Sequence, residues 1–428
     1  MPEHDMHDPT AHAANEDPTT FEEMDISPKL KAILAEKGFT TPTPIQAQAI
    51  PSGLSGTDMI GIAQTGTGKT LAFSIPTIQR IGKDGGKGLI LLPTRELALQ
   101  VDEELQKIGG KIGLRTAVLI GGANMGRQKD MIRKNPHIII ATPGRLIDHL
   151  EQRSIKLDSV SVLVFDEADR MLDMGFAPQI NRILEMVPSP EQRQTLLFSA
   201  TMPEEITRIA ETHMRLPVRI EIARAGTTSE NVEQELYVVA KTDKQQLLEE
   251  LLREYQGSVL VFSRTKHGAK RINRKLRDAG FTSDEIHGNR TLGQRKSALS
   301  GFKSGKYRVL VATDIAARGI DVKGIELVIN FDLPTQAEDY VHRIGRTGRA
   351  GHEGRAISFA MPDEGKEVMA IQRVTQAELP ITEHPTLPKH HLHRGARGSK
   401  GRGGGRGGRG GRNRGGGRGR SGGGRRRW

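Results

Sequence analysis

A chain of 428 residues exceeds what one hydrophobic core ordinarily serves and predicts two or three domains. The lack of cysteine excludes disulfides and thiolate metal sites and fits a reducing, cytoplasmic setting, and no apolar run reaches the ~18 residues of a membrane span. Formal charge is +12, but residues 394–428 hold thirteen Lys or Arg and no acid, so the remainder carries −1 and the basic character belongs to that tail.

Residues 1–18 are polar and lack the basic and apolar regions of a secretory leader. With His4, His7 and His12 spaced among Pro, Asp and Asn, they predict a disordered tail, a histidine metal site being the weaker alternative. Residues 19–47 lead into a first domain over 48–222, where short apolar runs alternate with amphipathic stretches: DMIGIA then KTLAFSIPTIQRI, GLILLP then TRELALQVDEELQKI, HIIIA then GRLIDHLEQ, and SVLVF before QTLLFSA. Strands apolar on both faces and alternating with helices predict an α/β fold with a parallel sheet covered on both sides. Pro217, Gly226 and the polar run around 223–231 mark a linker. The pattern restarts over 232–383 with SVLVFSRT, KHGAKRINRKLRDAG, YRVLVATD, IELVINFD and GRAISFAM, a second α/β domain of similar size. From 384 to 428, Gly-Arg repeats cannot bury enough apolar area to offset chain entropy, which predicts disorder.

Ala63-Gln64-Thr65-Gly66-Thr67-Gly68-Lys69-Thr70 follows a predicted strand and opens a predicted helix, the context of a phosphate-binding loop. Gly66 and Gly68 let backbone N–H groups turn toward phosphates, Lys69 supplies a point charge, and the Thr70 hydroxyl suits Mg²⁺. Ala63 stands where the generic signature has Gly. A phosphate loop needs a second acidic element, and Asp166 ends the apolar run Val162 to Phe165. Asp166 is therefore the expected metal holder, partly through water, and Glu167 the group that orients and deprotonates the attacking water. Alone, Asp166-Glu167-Ala168-Asp169 would read as a helix cap or solvated turn; the phosphate loop 97 residues upstream reverses that weighting.

Asp166-Glu167-Ala168-Asp169 spells the motif that names the DEAD-box RNA helicases, and from Phe21 to Ala360 the chain resembles that family. GFTTPTPIQ (Gly38 to Gln46), PTREL, Gly121-Gly122, TPGR, Ser199-Ala200-Thr201, VATDIAARGID and HRIGRTGR follow in the family's order. The resemblance implies two tandem RecA-like domains, the core of helicase superfamily 2, acting with ATP and Mg²⁺ on RNA. It implies that Gln46 reads adenine, that Phe39 stacks on it with Phe21 supporting, and that Asp321 lies near the ribose. An amide can pair with the adenine edge by donating to N7 and accepting from N6. By the same likeness Arg346 and Arg349 are arginine fingers, while Asp169, Ser199, Ala200, Thr201 and His342 link hydrolysis to strand separation. Without it, His342, Arg343, Arg346 and Arg349 would read as a solvated basic face.

Pro93, Thr94 and Arg95, Gly121 and Gly122, and Thr142, Pro143, Gly144 and Arg145 fall at sheet-edge loops or helix starts, which suit phosphate contacts. The resemblance makes them RNA-backbone contacts of the first domain, with His287, Gly288, Asn289 and Thr313 contributing from the second. Such a set binds single strands and short duplexes without reading sequence. One departure is Leu292, where the family commonly has Gln three residues before the matching Arg295; Gln294 is the neighbouring amide, though it faces differently on a helix, and altered interdomain coupling without loss of activity is expected. The Gly-Arg tail suits phosphates and base stacking, against a merely solubilising role. The wording HGNR, compact core and basic Gly-rich tail look most like the bacterial RhlE-type subgroup, implying ribosome assembly or RNA decay, ribosomal precursors or decay machinery as partners, and a monomeric core. Competing readings are an ATP-gated RNA clamp and a tail-driven RNA annealer.

Overall fold

The computed structural model describes residues 18–63, 66–222, 232–317, 325–348 and 354–393. The first half holds β1 (Met59–Ile62), β2 (Lys87–Leu91), β3 (Thr116–Leu119), β4 (Ile138–Ala141), β5 (Val160–Phe165), β6 (Gln194–Ser199) and β7 (Val218–Glu221). They form one parallel sheet in the order β3-β4-β2-β5-β6-β1-β7. β1 and β4, MIGI and IIIA, are buried at every position, as strands covered on both faces must be. One apolar cluster packs helices such as Lys69–Asp84 and Arg95–Gly109 on one face, and a second packs Pro143–Glu151 and Ala177–Leu184 on the other.

Strand order decides where the loops emerge. β1, β6 and β5 are neighbours, with Ile62 opposite Ser199 and Phe165 opposite Leu197, so the loops after them leave side by side from the carboxyl edge. β2, β4 and β3 are neighbours on the other side, Ala141 facing both Leu91 and Leu119, so their following loops share the other half of that edge. This edge is where open parallel sheets bind ligands.

The second half repeats the plan with β8 (Val232–Val238), β9 (Val259–Phe262), β10 (Ser283–Ile286), β11 (Val309–Ala312), β12 (Leu327–Asn330), β13 (Gly354–Ala360) and β14 (Ile381–Thr382), in the order β10-β11-β9-β12-β13-β8-β14. The apolar runs predict the interior strands except β8. β3, β7, β10 and β14, which they do not predict, are the four sheet edges, and β7 and β10 carry Arg219, Glu221, Asp284 and Glu285. An edge strand faces water and loses the continuous apolar signal. β8, beside an edge, mixes polar and apolar positions in the same way.

The folded chain continues to His393, past the expected boundary at 384. Leu387 and Leu392 pack on the two apolar clusters of the second sheet, and the His393 N–H donates to the Pro362 carbonyl at 2.7 Å. The expected N-terminal tail up to residue 17, the linker 223–231 and the segment 394–428 lie outside the described residues. No helix among the described residues is long and apolar enough to cross a membrane.

Arg343 ties the second sheet together. It is 2% exposed; Nε and Nη2 donate to Asp314 at 2.5 and 2.8 Å, Nη1 donates to Asn330 Oδ1 at 3.1 Å, and the guanidinium lies 5.0 Å from the Phe262 ring centroid. Arg343→Ala strands the Asp314 carboxylate and is expected to lower the stability of this half by about 3 kcal/mol. A fall in the urea midpoint of its unfolding transition is the measurement, and an unchanged midpoint contradicts this assignment.

Candidate ATP and nucleic-acid site

The phosphate loop links the end of β1 to the helix Lys69–Asp84; Ala63, Gly66, Thr67 and Gly68 are described, whereas Gln64 and Thr65 are not. Gly68 has φ 93°, and a Cβ there would stand 2.4 Å from Gln46 Nε2, so both conformation and close approach require glycine. Lys69 is buried; Nζ donates to the Ala63 carbonyl at 3.0 Å and stands 3.9 Å from Asp166 Oδ1. Thr70 is half-buried one residue further along.

Thr43 caps the helix Pro44–Leu54, and its own N–H donates to Gln46 Oε1 at 2.9 Å. Gln46 Nε2 donates to the Gly68 carbonyl at 3.0 Å, and Thr43 Oγ1 donates to Thr67 at 2.7 Å. A helix cap thus stitches the GFTTPTPIQ segment onto the phosphate loop, and the Gln46 amide keeps one N–H and one lone pair for another partner. Phe21 is buried and Phe39 half-buried against the same apolar cluster.

Asp166 extends β5 by one residue, its N–H donating to the Leu91 carbonyl at 3.1 Å. Burial pushes its carboxyl up to about 6, against the pull of Lys69 and with the nearby Glu167 adding to the rise. Glu167 sits in the left-handed region at φ 54°, ψ 50°, and caps the helix Ala168–Asp173. Its carboxylate is buried 3.5 Å from Arg170 Nη1, and Oε2 has no hydrogen-bond partner.

Asp169 turns toward β6. Its Oδ2 accepts from the N–H groups of Ala200 (3.2 Å) and Thr201 (3.0 Å) and from Thr201 Oγ1 (2.9 Å), while the Asp169 N–H donates to Ser199 Oγ at 3.2 Å. The four residues expected to act together are therefore joined. His342 comes to them from the second half: burial lowers its pKa, Asp339 raises it, and Arg170 and Asp169 act on it from the first half. Arg346 Nε donates to the His342 carbonyl at 3.3 Å, and both residues line one cleft with Arg170 and Arg343. At 2% and 4% exposure, Arg343 and Arg346 do not form a solvated basic face. Asp321 and Arg349 lie outside the described residues.

The other half of the edge gathers the remaining segments. Arg95 lies along Gly121-Gly122, where a Cβ on Gly122 (φ 75°) would meet its guanidinium at 2.3 Å. Thr94 accepts from the Leu97 N–H at 3.3 Å and caps its helix; Pro143 opens the next helix after Thr142, with Gly144 half-buried behind it. Arg145 Nη1 donates to the Ala123 carbonyl at 3.1 Å and Nε stands 3.2 Å from Asp148, so Arg145 holds the glycine loop from beneath. Pro93 and Thr313 are buried. In the HGNR turn Gly288 and Asn289 are exposed, but His287 is turned inward, its Nε2 3.4 Å from Glu285 Oε1.

The helix Leu292–Lys303 of the second half docks on this same region. Leu292 packs against the first half's apolar cluster, and one turn on, Arg295 Nη2 donates to Glu96 Oε2 at 2.8 Å in a buried ion pair. The next residue, Lys296, acts on Asp102, whose carboxyl burial pushes up while Thr116 and Lys296 pull it down. Positions i, i+3 and i+4 share a helix face. Gln294 does not stand in for the missing amide: it caps its own helix, its Oε1 accepting from the Thr291 N–H at 3.0 Å. An apolar contact replaces the polar one. Glu96 and Arg170, assigned no role from sequence, are buried at the interface; Glu96 lies within the quoted PTREL, and its burial was the missing signal.

Two parallel sheets of one strand plan in tandem, the first carrying a phosphate loop, with acidic and arginine elements converging between them, define a nucleotide-dependent helicase core. A DEAD/DEAH box helicase model matches residues 43–209 and a helicase conserved C-terminal domain matches 243–351. The chain is 45% identical over 371 residues to the DEAD-box ATP-dependent RNA helicase CshA of Bacillus subtilis, covering 86% of this chain and 75% of that protein. It is 45% identical to the ATP-dependent RNA helicase CshA of Listeria monocytogenes, covering 86% and 71%. Among solved structures, S. cerevisiae Dbp5 bound to RNA and ADP BeF3 matches at 30% identity and TM-score 0.75, over 85% of this chain and 96% of that one. Mss116p bound to ssRNA and AMP-PNP matches at 30% identity and TM-score 0.76, over 84% and 78%. The chain belongs to the DEAD-box helicase family.

With no native cysteine, fluorophores can be placed on one introduced exposed cysteine in each half. Glu96→Gln is expected to lower the closed fraction in energy transfer by about ten- to a hundredfold in the closure equilibrium. An unchanged closed fraction would show that the ion pair does not hold the halves together.

Proposed function

We infer that the protein is an ATP-dependent RNA helicase, an RNA-stimulated ATPase that couples nucleotide turnover to local opening of short duplexes. The observation that carries the reading is the adjacency of β1, β6 and β5, which sets Lys69 3.9 Å from Asp166 and ties Asp169 to Ser199, Ala200 and Thr201. The CshA relatives, named as RNA helicases, support it.

Gln46 and Phe39 bind adenine, Asp321 the ribose, and the loop from Ala63 to Thr70 the phosphates. Asp166, buried beside Lys69, and the half-buried Thr70 hydroxyl fit a divalent ion that takes its other ligands from phosphate and water. Mg²⁺ there would neutralise charge developing on the transferred phosphoryl group. Glu167, whose Oε2 accepts no hydrogen bond and stands 3.5 Å from Arg170 Nη1, orients the attacking water and accepts its proton. Arg346 and Arg349 stabilise the transition state from the second domain. Asp169 with Ser199, Ala200, Thr201 and His342 passes the state of the nucleotide to the RNA track. That track is formed by Pro93, Thr94, Arg95, Gly121, Gly122 and Thr142 to Arg145, and across the interface by Gly288, Asn289 and Thr313. His287 shapes the turn from within.

A first domain over 48–222, a second from 232 that extends beyond the expected limit at 383, and a cytoplasmic location belong to this reading. The RhlE-type placement rests on the HGNR wording and the basic tail, whereas the relatives compared carry the name CshA. Ribosome assembly and RNA decay both remain compatible contexts.

Glu167→Gln should bind ATP normally and lose about two orders of magnitude or more in RNA-stimulated turnover. Arg346→Ala should lose about 10³-fold. Unwinding of a short labelled duplex with ATP is the direct test: RNA-stimulated hydrolysis with no strand displacement at any duplex length would replace the helicase reading with a clamp.

A further inference from the structure

Outside residues 394–428 the chain is almost neutral, yet one helix is not. Lys266–Asp278 presents Lys266, Lys270, Arg271, Arg274, Lys275 and Arg277 to solvent against a single acid, Asp278. Ala269, Ile272 and Leu276 bury its opposite face on the sheet. Among the described residues none of the six cations forms an ion pair, so no described acid neutralises this charge.

The helix flanks the edge strand β10, and a groove of about 610 Å³ opens along that strand, lined among others by Arg277, Phe281, Ser283, Arg290, Lys306 and Tyr307. Its one acid, Asp284, accepts from Arg290 Nη2 at 3.0 Å, and the neighbouring Glu285 is turned inward to Asn273. The unneutralised charge is therefore positive. Lys306 lies 5.5 Å from the Tyr307 ring and Arg308 5.5 Å from the Phe281 ring. Tyr307 rests on the backbone of Gly301, where a Cβ would come within 2.5 Å of the ring. Rings and guanidinium planes beside fixed cations are what single-stranded bases and phosphates pack against.

Arg290 joins this groove to the exposed Gly288-Asn289 turn. The four residues of β10 span about 13 Å, so the groove prolongs the track past the domain's outer edge. We propose that the helix Lys266–Asp278 and the β10 groove form a second binding surface for single-stranded RNA, taken up where the strand leaves the core. The proposal rests on the RNA-helicase reading. An acidic peptide pairing with β10 is the competing occupant; the stacking planes and the continuity with the backbone track favour RNA.

The test compares a short single strand that fills only the core track with a long one, using the full chain and the triple variant Arg274→Glu, Arg277→Glu, Lys306→Glu. Long-strand affinity should fall about tenfold or more and its log–log salt slope by about 2, since each lost phosphate contact removes ~0.7. Short-strand affinity should not change, and the variant should melt at the same temperature because all three charges are exposed. Long RNA carrying 4-thiouridine should crosslink to the peptide containing Tyr307, and short RNA should not. Unchanged long-strand affinity and slope, with no such crosslink, overturns the proposal. So does a variant that binds both RNAs normally but loses binding to polyglutamate, which assigns the groove to an acidic peptide. If the short strand fails to stimulate ATP hydrolysis in the unaltered protein, the helicase reading fails instead.

Discussion

All strands of a parallel sheet send their following loops from the same edge, and every feature of this protein's site depends on that. The order β3-β4-β2-β5-β6-β1-β7 divides the edge into a phosphate half, after β1, β5 and β6, and a backbone-contact half, after β2, β3 and β4. β2 and β5 are hydrogen-bonded neighbours, with Leu91 opposite Phe165, so the two halves meet without an intervening element. On the proposed assignment of nucleotide and RNA to these two halves, a change at one has only one strand spacing, about 4.8 Å, to cross before it reaches the other.

The second domain touches both halves. His342 and Arg346 meet Arg170 beside the acidic segment, while Leu292, Arg295 and Lys296 meet the first domain at Glu96 and Asp102, on the helix that follows Thr94. With nucleotide and RNA placed as proposed, closure would sample the occupancy of both ligands at once. The charges at these contacts are largely buried, and taking them out of water is costly unless each finds a partner. Glu96 Oε1 and both terminal nitrogens of Arg170 have no hydrogen-bond partner. Such groups stabilise a closed state conditionally, when ligands or the opposing domain complete them, which suits a device that has to reopen.

Much of this was legible in the sequence because chemistry there is tied to local spacing. The phosphate loop needs glycine, lysine and threonine in one short run between strand and helix, and interior strands such as VLVF announce themselves by continuous apolar residues. Edge strands were not legible, since β10 reads as Ser-Asp-Glu-Ile and only its pairing with β11 makes it a strand. Glu96 and Arg295 stand 199 positions apart, and no local pattern connects them. The helix Lys266–Asp278 was legible as a helix, but its charge vanished in the chain's balance, where a window of its own length would have exposed it. Gln294 was legible from helix geometry: a side chain two positions from Leu292 points elsewhere, and Gln294 satisfies the helix end instead.

The left-handed backbone at Glu167 places this carboxylate where a non-glycine residue is held at a cost of about 1 kcal/mol or more. Relaxing it would let the following helix begin more comfortably while turning the acid away from the phosphate loop. Thermal stability alone would therefore favour glycine here, and on the proposed role of Glu167 as the water-activating base the chain's endurance and its turnover pull in opposite directions at this position.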